Sequence, residues 1–180
     1  MAPRRPPKAG VFALESGRLV QQVPEKPVEW SPEDEPATLV GNYDAANYEV
    51  GVKFQIEEGD VEDGAEAYAF AGLRVDGWNP NSKVGPSGLL LTVHSQKGEW
   101  HLSAGVRVLS RGKVELEDAY AEHEIRIRAQ GDEIVGWLDG EEVVRIVWKD
   151  RIRGLYEHGL AVIGSGWHRA AFDDFYIVEV

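Results

Sequence analysis

Nine residues, Tyr48 to Ile56, limit what this chain can become more than any other stretch. Tyr48, Val50, Val52, Phe54 and Ile56 alternate with Glu49, Gly51, Lys53 and Gln55. Side chains of an extended backbone point alternately to opposite faces, so five large apolar groups share one face and the other is polar. A helix would scatter the same residues around its axis. A strand of this kind belongs in an antiparallel sheet with one face buried and one face wet.

The rest of the chain repeats the theme. Val11–Leu14 and Arg18–Val23 flank Ser16-Gly17, a hairpin signal. Residues 24–36 hold four prolines and read as a loop, with Trp30 as a plug over one edge of the core. Thr38–Val40 leads into a turn at Gly41–Asp44, and an acidic, Gly-containing loop follows at 57–66. Ala67–Val75 and Ser87–Ser95 are strands separated by the Gly/Asn/Pro-rich loop around Trp78. Glu99–Ser103 puts Trp100 and Leu102 on one face, with Glu99 and His101 on the other, and Gly112–Glu122 reads as a polar connection. Ile125 and Ile127 alternate with Arg126 and Arg128, and the chain turns at Gly131-Asp132. Ile134–Leu138 then runs into Asp139-Gly140, the strongest short-range hairpin signal present, and Val143–Trp148 returns. Leu160–Ile163 ends at Gly164-Ser165-Gly166, a Trp167-His168-Arg169 loop follows, and a run from Phe172 to Val178 closes the chain. A terminal run this apolar belongs inside a sheet, paired with strands distant in sequence. No 3.6-residue stripe extends over ten residues, with 115–124 the one doubtful stretch. About a dozen strands without helices predict an all-β fold, a jelly-roll β-sandwich of two antiparallel sheets.

Length and charge narrow the function classes. The 180 residues suit one domain, 10–180, behind a tail at 1–9 rich in proline and arginine. The formal net charge of −12 opposes nucleic acid and anionic membrane as partners, each of which calls for a basic face. It suits neutral ligands such as sugars, or bound cations, and equally plain solubility. No cysteine is present, which removes disulfides, thiol chemistry and cysteine-ligated zinc. No apolar run is long enough to span a membrane, and the first ten residues lack the apolar segment of a secretion signal.

A set of short motifs, taken in order, is more specific than any of its members. They are Gly10-Val11-Phe12, the run KPVEW at 26–30, TLVGNY at 38–43, NYEV at 47–50, AGLRV at 71–75, GLLL at 88–91, GEWHL at 98–102, and the closing GSGWHRAAFDDF at 164–175. Together they resemble the C-terminal lectin-like domain of the galactosylceramidases, glycoside hydrolase family 59, from about Gly10 to the end. The resemblance implies a concanavalin-A-like sandwich and an extracellular or secreted setting. It also implies a sugar-associated domain without its enzyme, since the chain leaves no room for the barrel that carries the family's catalytic glutamates. Relatives of this kind bind calcium through an aspartate ahead of the G-x-F segment and the first acidic residue of the final motif. The second corresponds to Asp173, whereas Pro6-Pro7-Lys8 falls at the first. Calcium takes six to eight oxygen ligands, so a single carboxylate makes a poor site. The other reading of Asp173 is a cap for local amides or a partner for an arginine.

Candidate ligand-binding residues are Trp78, Asn79, Asn81, Trp100, His101, Trp167, His168 and Arg169. Sugar rings stack their C–H faces on aromatic side chains, and charged planar groups bind hydroxyls in pairs. Trp78 leads this group, because its loop composition offers no packing reason for an indole. Trp100, Trp137 and Trp148 lie on strands, where a core role outweighs a ligand role, and Trp30 and Trp167 fit either role. His168 reads as a solvated loop side chain.

Catalysis is not expected. Sandwich glucanases use E-x-D-x-x-E on a strand, whereas Glu58–Asp63 ends in Asp within a Gly-broken loop. The same string fails the calcium-loop pattern of EF-hands, and Gly164-Ser165-Gly166 lacks the spacing of a nucleophile elbow. Two classes remain: a carbohydrate-binding module for β-galactose-containing glycans or glycoconjugates, and a docking module for a separate glycosidase catalytic domain that binds no sugar alone.

Overall fold

The computed structural model describes residues 12–23, 35–57, 67–76, 87–149 and 156–180. They hold β1 (Phe12–Glu15), β2 (Arg18–Gln21), β3 (Ala37–Val40), β4 (Tyr48–Ile56), β5 (Ala69–Val75), β6 (Leu89–His94) and β7 (Glu99–Ala104). They continue with β8 (Arg107–Lys113), β9 (His123–Gln130), β10 (Glu133–Leu138), β11 (Glu141–Val147), β12 (Leu160–Ser165) and β13 (Ala170–Glu179). Among the described residues the one helical element is a 3-10 turn at Ser95–Lys97. Trp30, Trp78, Asn79, Asn81, the acidic string 58–63 and the tail 1–9 lie outside the described residues.

Two antiparallel sheets form, as the alternation predicts. One runs β1-β2-β13-β4-β9-β10-β11 and the other β3-β12-β5-β6-β7-β8. The strand of strict alternation is β4, near the middle of the larger sheet, and all five of its apolar side chains are buried. They meet Ile125 and Ile127 of β9 on their own sheet and Ala71, Leu73, Leu89 and Leu91 of the facing sheet in one core. The terminal strand β13 lies between β2 and β4, inside the sheet. Its Asp173–Tyr176 stretch carries a bulge, with Asp174 at φ +48°, and this lets its apolar residues regain the core side. The Ser16-Gly17 and Asp139-Gly140 hairpins form as expected, with all four residues at positive φ. That left-handed pair is the geometry a two-residue hairpin turn requires.

Three local expectations change. Gly112–Glu122 is not all connection: β8 precedes and enters it, ending at Lys113. This edge strand is largely exposed and so carries little of the alternation that reveals a half-buried strand. The stretch at 115–124, the one doubtful place for a helix, forms none, in line with the all-β expectation, and its last two residues open β9. Gly164 and Ser165 sit inside β12 rather than ending it. A Cβ on Gly164 would come within 2.4 Å of the Phe70 ring, so the glycine is there for closeness of packing. Trp137 is not core but lies on the outer face of the larger sheet. The guanidiniums of Arg126 and Arg128 sit 5.0 and 5.3 Å from its ring centroid, a double cation–π contact. Trp148 is half-buried against the core, near-parallel to Tyr156 at 5.9 Å.

Candidate functional site

The six-stranded sheet has two different ends on its outer face. Towards β3, β12 and β5 that face is apolar and closed, with Phe70, Val75, Leu90 and Val162 all buried in a second cluster. Cross-strand pairing carries one row from this cluster outward: Phe70 opposite Thr92, Thr92 opposite His101, His101 opposite Arg111. Exposure rises along the row, from buried Phe70 and Thr92 through half-buried His101 to exposed Arg111. A second row runs beside it, His94 opposite Glu99 and Glu99 opposite Lys113.

These two rows floor an open groove of about 490 Å³ over β6, β7 and β8, walled by His94, Lys97, Glu99, Trp100, His101 and Arg111 among others. Two of its lining rings, His94 and His101, continue a line that starts at Tyr68 outside the lining. Tyr68 and His94 have centroids 5.2 Å apart, His94 and His101 5.4 Å. The Tyr68 hydroxyl donates to Glu35 Oε1 at 2.7 Å. Burial raises the Glu35 carboxyl above its ordinary range, with the tyrosine hydrogen bond pulling the other way. Trp100 is 7% exposed, its indole lodged over Gly112, where a Cβ would come within 2.6 Å of the ring. It is a core residue with one edge on the groove, consistent with its place on a strand. A further groove of about 530 Å³ lies on its other side, lined by Lys113, Val114, Glu115, Glu141, Glu142 and Val143.

The expected Trp167-His168-Arg169 platform comes apart. His168 is 1% exposed, a buried side chain and not a solvated one, which removes it from any ligand-facing surface. Its Nε2 meets the Tyr68 backbone, 2.9 Å from the carbonyl oxygen and 3.1 Å from the amide nitrogen, the bond formed depending on tautomer. Its ring also packs edge-on against Tyr68, at 6.3 Å, behind the line of groove rings. Arg169 turns elsewhere, with Nη2 2.6 Å from Glu15 and Nε 2.8 Å from Glu57, and ties the end of β1 to the end of β4. Trp167, which precedes both in sequence, is half-buried. Of the residues singled out from sequence, the structure thus joins Trp100 and His101 in one groove. Sequence reasoning missed Tyr68, His94 and Arg111, although His94 and Arg111 follow from strand register once His101 is placed.

Among the described residues Asp173 takes up a local amide and the neighbourhood of an arginine. Its Oδ2 lies 3.6 Å from Arg18 Nε, its Oδ1 accepts the Asp174 amide at 2.8 Å, and Lys53 holds Asp174 at 2.6 Å. No cluster of three metal-ligating side chains occurs among the described residues. Calcium and a chelator should therefore give melting temperatures within about 1 °C of each other, because a ligand that does not bind the native state cannot stabilise it. A rise with calcium that disappears in Asp173→Asn would restore the site.

Comparison with known proteins agrees with this architecture. A family model described as "Galactocerebrosidase, C-terminal lectin domain" matches residues 13–180. No curated protein sequence matches the chain. Among solved structures, the carbohydrate-binding module CBM66 from Bacillus subtilis is similar at 14% identity, covering 95% of this chain and 92% of its own, with a TM-score of 0.67. A Bacillus subtilis protein of unknown function with a galectin-like fold gives 12% identity, 95% and 86% coverage, and a TM-score of 0.66. Sheep galectin-11 gives 7% identity, 81% and 98% coverage, and a TM-score of 0.51. At these identities the likeness concerns the fold.

Proposed function

The chain belongs to the galactocerebrosidase C-terminal lectin domain family, and on that premise we propose that it is a non-catalytic carbohydrate-binding module holding glycans on the outer face of its six-stranded sheet. The observation that carries this is the His94–His101 ring pair leading to Arg111 along an open groove, with Tyr68 packed behind His94. Flat rings offer faces and edges to sugar C–H groups, while imidazole nitrogens and a guanidinium supply hydrogen bonds to hydroxyls. The described lining offers one carboxylate, Glu99, where glycoside hydrolysis uses two, which supports a binding role over a catalytic one. The family's description makes β-galactose-containing glycans the first ligands to try.

A shallow groove of this kind supports a dissociation constant of about 10 μM to 1 mM. A glycan array followed by titration calorimetry tests it. His101→Ala should weaken binding at least about tenfold, a loss of one good contact, and leave the melting curve nearly unchanged, since the side chain is only half-buried. Trp78→Ala tests the rival reading, a platform of Trp78, Asn79 and Asn81 expected from the sequence of the 76–86 loop. Loss in Trp78→Ala alone would move the site to that loop. Silence across the array, with a glycosidase co-purifying, would favour the docking role instead.

A further inference from the structure

We propose that the β6–β8 groove selects glycans bearing an anionic group, a sulfate ester or a carboxylate, over their neutral counterparts. The proposal rests on the groove reading above and names the ligand class for that same site. The formal charge of the whole chain is −12, yet both rows of the described groove lining end in a cation, Arg111 and Lys113, and Glu99 is the one carboxylate among the described lining residues. A locally positive concavity on an acidic molecule is where a negative ligand group gains most.

The pairing of cations elsewhere sharpens the point. Arg18, Lys53, Arg126, Arg128, Arg145 and Arg169 each lie within 4 Å of a carboxylate. Among the described residues Arg111 and Lys113 make no ion pair, a condition they share with Arg107 and Lys149 outside the groove lining. Arg111 stands opposite His101 and Lys113 opposite Glu99, so both rows of the groove end in a cation on β8. A planar guanidinium there can hold two oxygens of a sulfate or carboxylate at once, and an ammonium beside it adds a point charge. Edge strands also carry charges simply to block edge-to-edge pairing. That explanation suits Arg107, exposed on the same strand outside the groove lining, but does not require cations to end rows that begin at Thr92 and His94.

The test compares galactose, galactose 6-sulfate and galacturonate by titration calorimetry on the full chain, with histidine NMR shifts to report occupancy. Both anionic sugars should bind at least about tenfold tighter than galactose at low salt, a factor worth about 1.4 kcal/mol. The advantage should shrink as ionic strength rises towards about 0.2 M. It should disappear in Arg111→Gln/Lys113→Gln and persist in Arg107→Gln. A preference for the sulfate or for the carboxylate arm identifies which anion the guanidinium suits. Equal affinity for all three sugars overturns the proposal and leaves the groove reading standing. An advantage that persists in the double variant, or fails equally in Arg107→Gln, also overturns it. If none of the sugars shifts the histidine signals, the groove reading falls and the proposal with it.

Discussion

Arg74→Met should lower the unfolding free energy by about 3–5 kcal/mol, because it strands several buried acceptors at once. Arg74 lies on β5 with only 2% of its surface exposed, at φ +55° in the left-handed region. Its guanidinium reaches Ala46 O at 2.7 Å through Nε, Gly131 O at 3.0 Å through Nη2 and Tyr156 O at 3.4 Å through Nη1. Its backbone amide donates to the Tyr48 hydroxyl at 2.7 Å, and that hydroxyl donates to Gly159 O at 2.8 Å. Burial pushes the Tyr48 phenol up to about 12, with Arg74 pulling it back down, so the hydroxyl stays protonated and keeps its bond to Gly159. One side chain thus gathers the turns after β3 and β9 and the segment before β12. Methionine fills similar volume without a single donor, which isolates the hydrogen-bonding contribution from packing. Urea unfolding gives the answer directly. A loss under about 1 kcal/mol would mean that water replaces the guanidinium and that the junction is not closed.

Phe54→Ala should cost a comparable 3–5 kcal/mol by a different route, the cavity left by a large aromatic side chain. Phe54 is 1% exposed, stands opposite Phe172 of β13 and His123 of β9, and packs its ring 5.8 Å from the His123 ring. For a domain of this size such a loss lowers the melting temperature by roughly 6–20 °C, taking about 2–4 °C per kcal/mol. The urea midpoint should fall while the slope stays constant, since the surface exposed on unfolding hardly changes. A helix-rich circular dichroism spectrum, or a variant as stable as the parent, would contradict the packing described for β4.

The sequence by itself determined most strands of this protein and most of the faces they bury, edge strand β8 and the side of Trp137 excepted. The alternation of Tyr48–Ile56, the Ser16-Gly17 and Asp139-Gly140 turns and the apolar closing run all express geometry within a few residues, so each was legible before any fold existed. The all-β class followed, as did the place of β13 inside a sheet, because an apolar strand at a chain end must find partners. His101 was legible as a side chain on the polar face of its strand. Its neighbours were not: His94 and Arg111 reach it only through pairing of β6, β7 and β8. Neighbouring positions met the same limit. His168 and Arg169 are adjacent and polar, yet one is enclosed behind Tyr68 and the other is drawn to Glu15 and Glu57. Arg74 gives no local sign of being buried, since its partners come from segments up to 82 residues away. Trp137 looked like core and is held outside by two arginines. Periodicity reports which face a side chain takes, while the occupant of the space opposite is set by strand order and register, and those were decided only when the two sheets closed on one another.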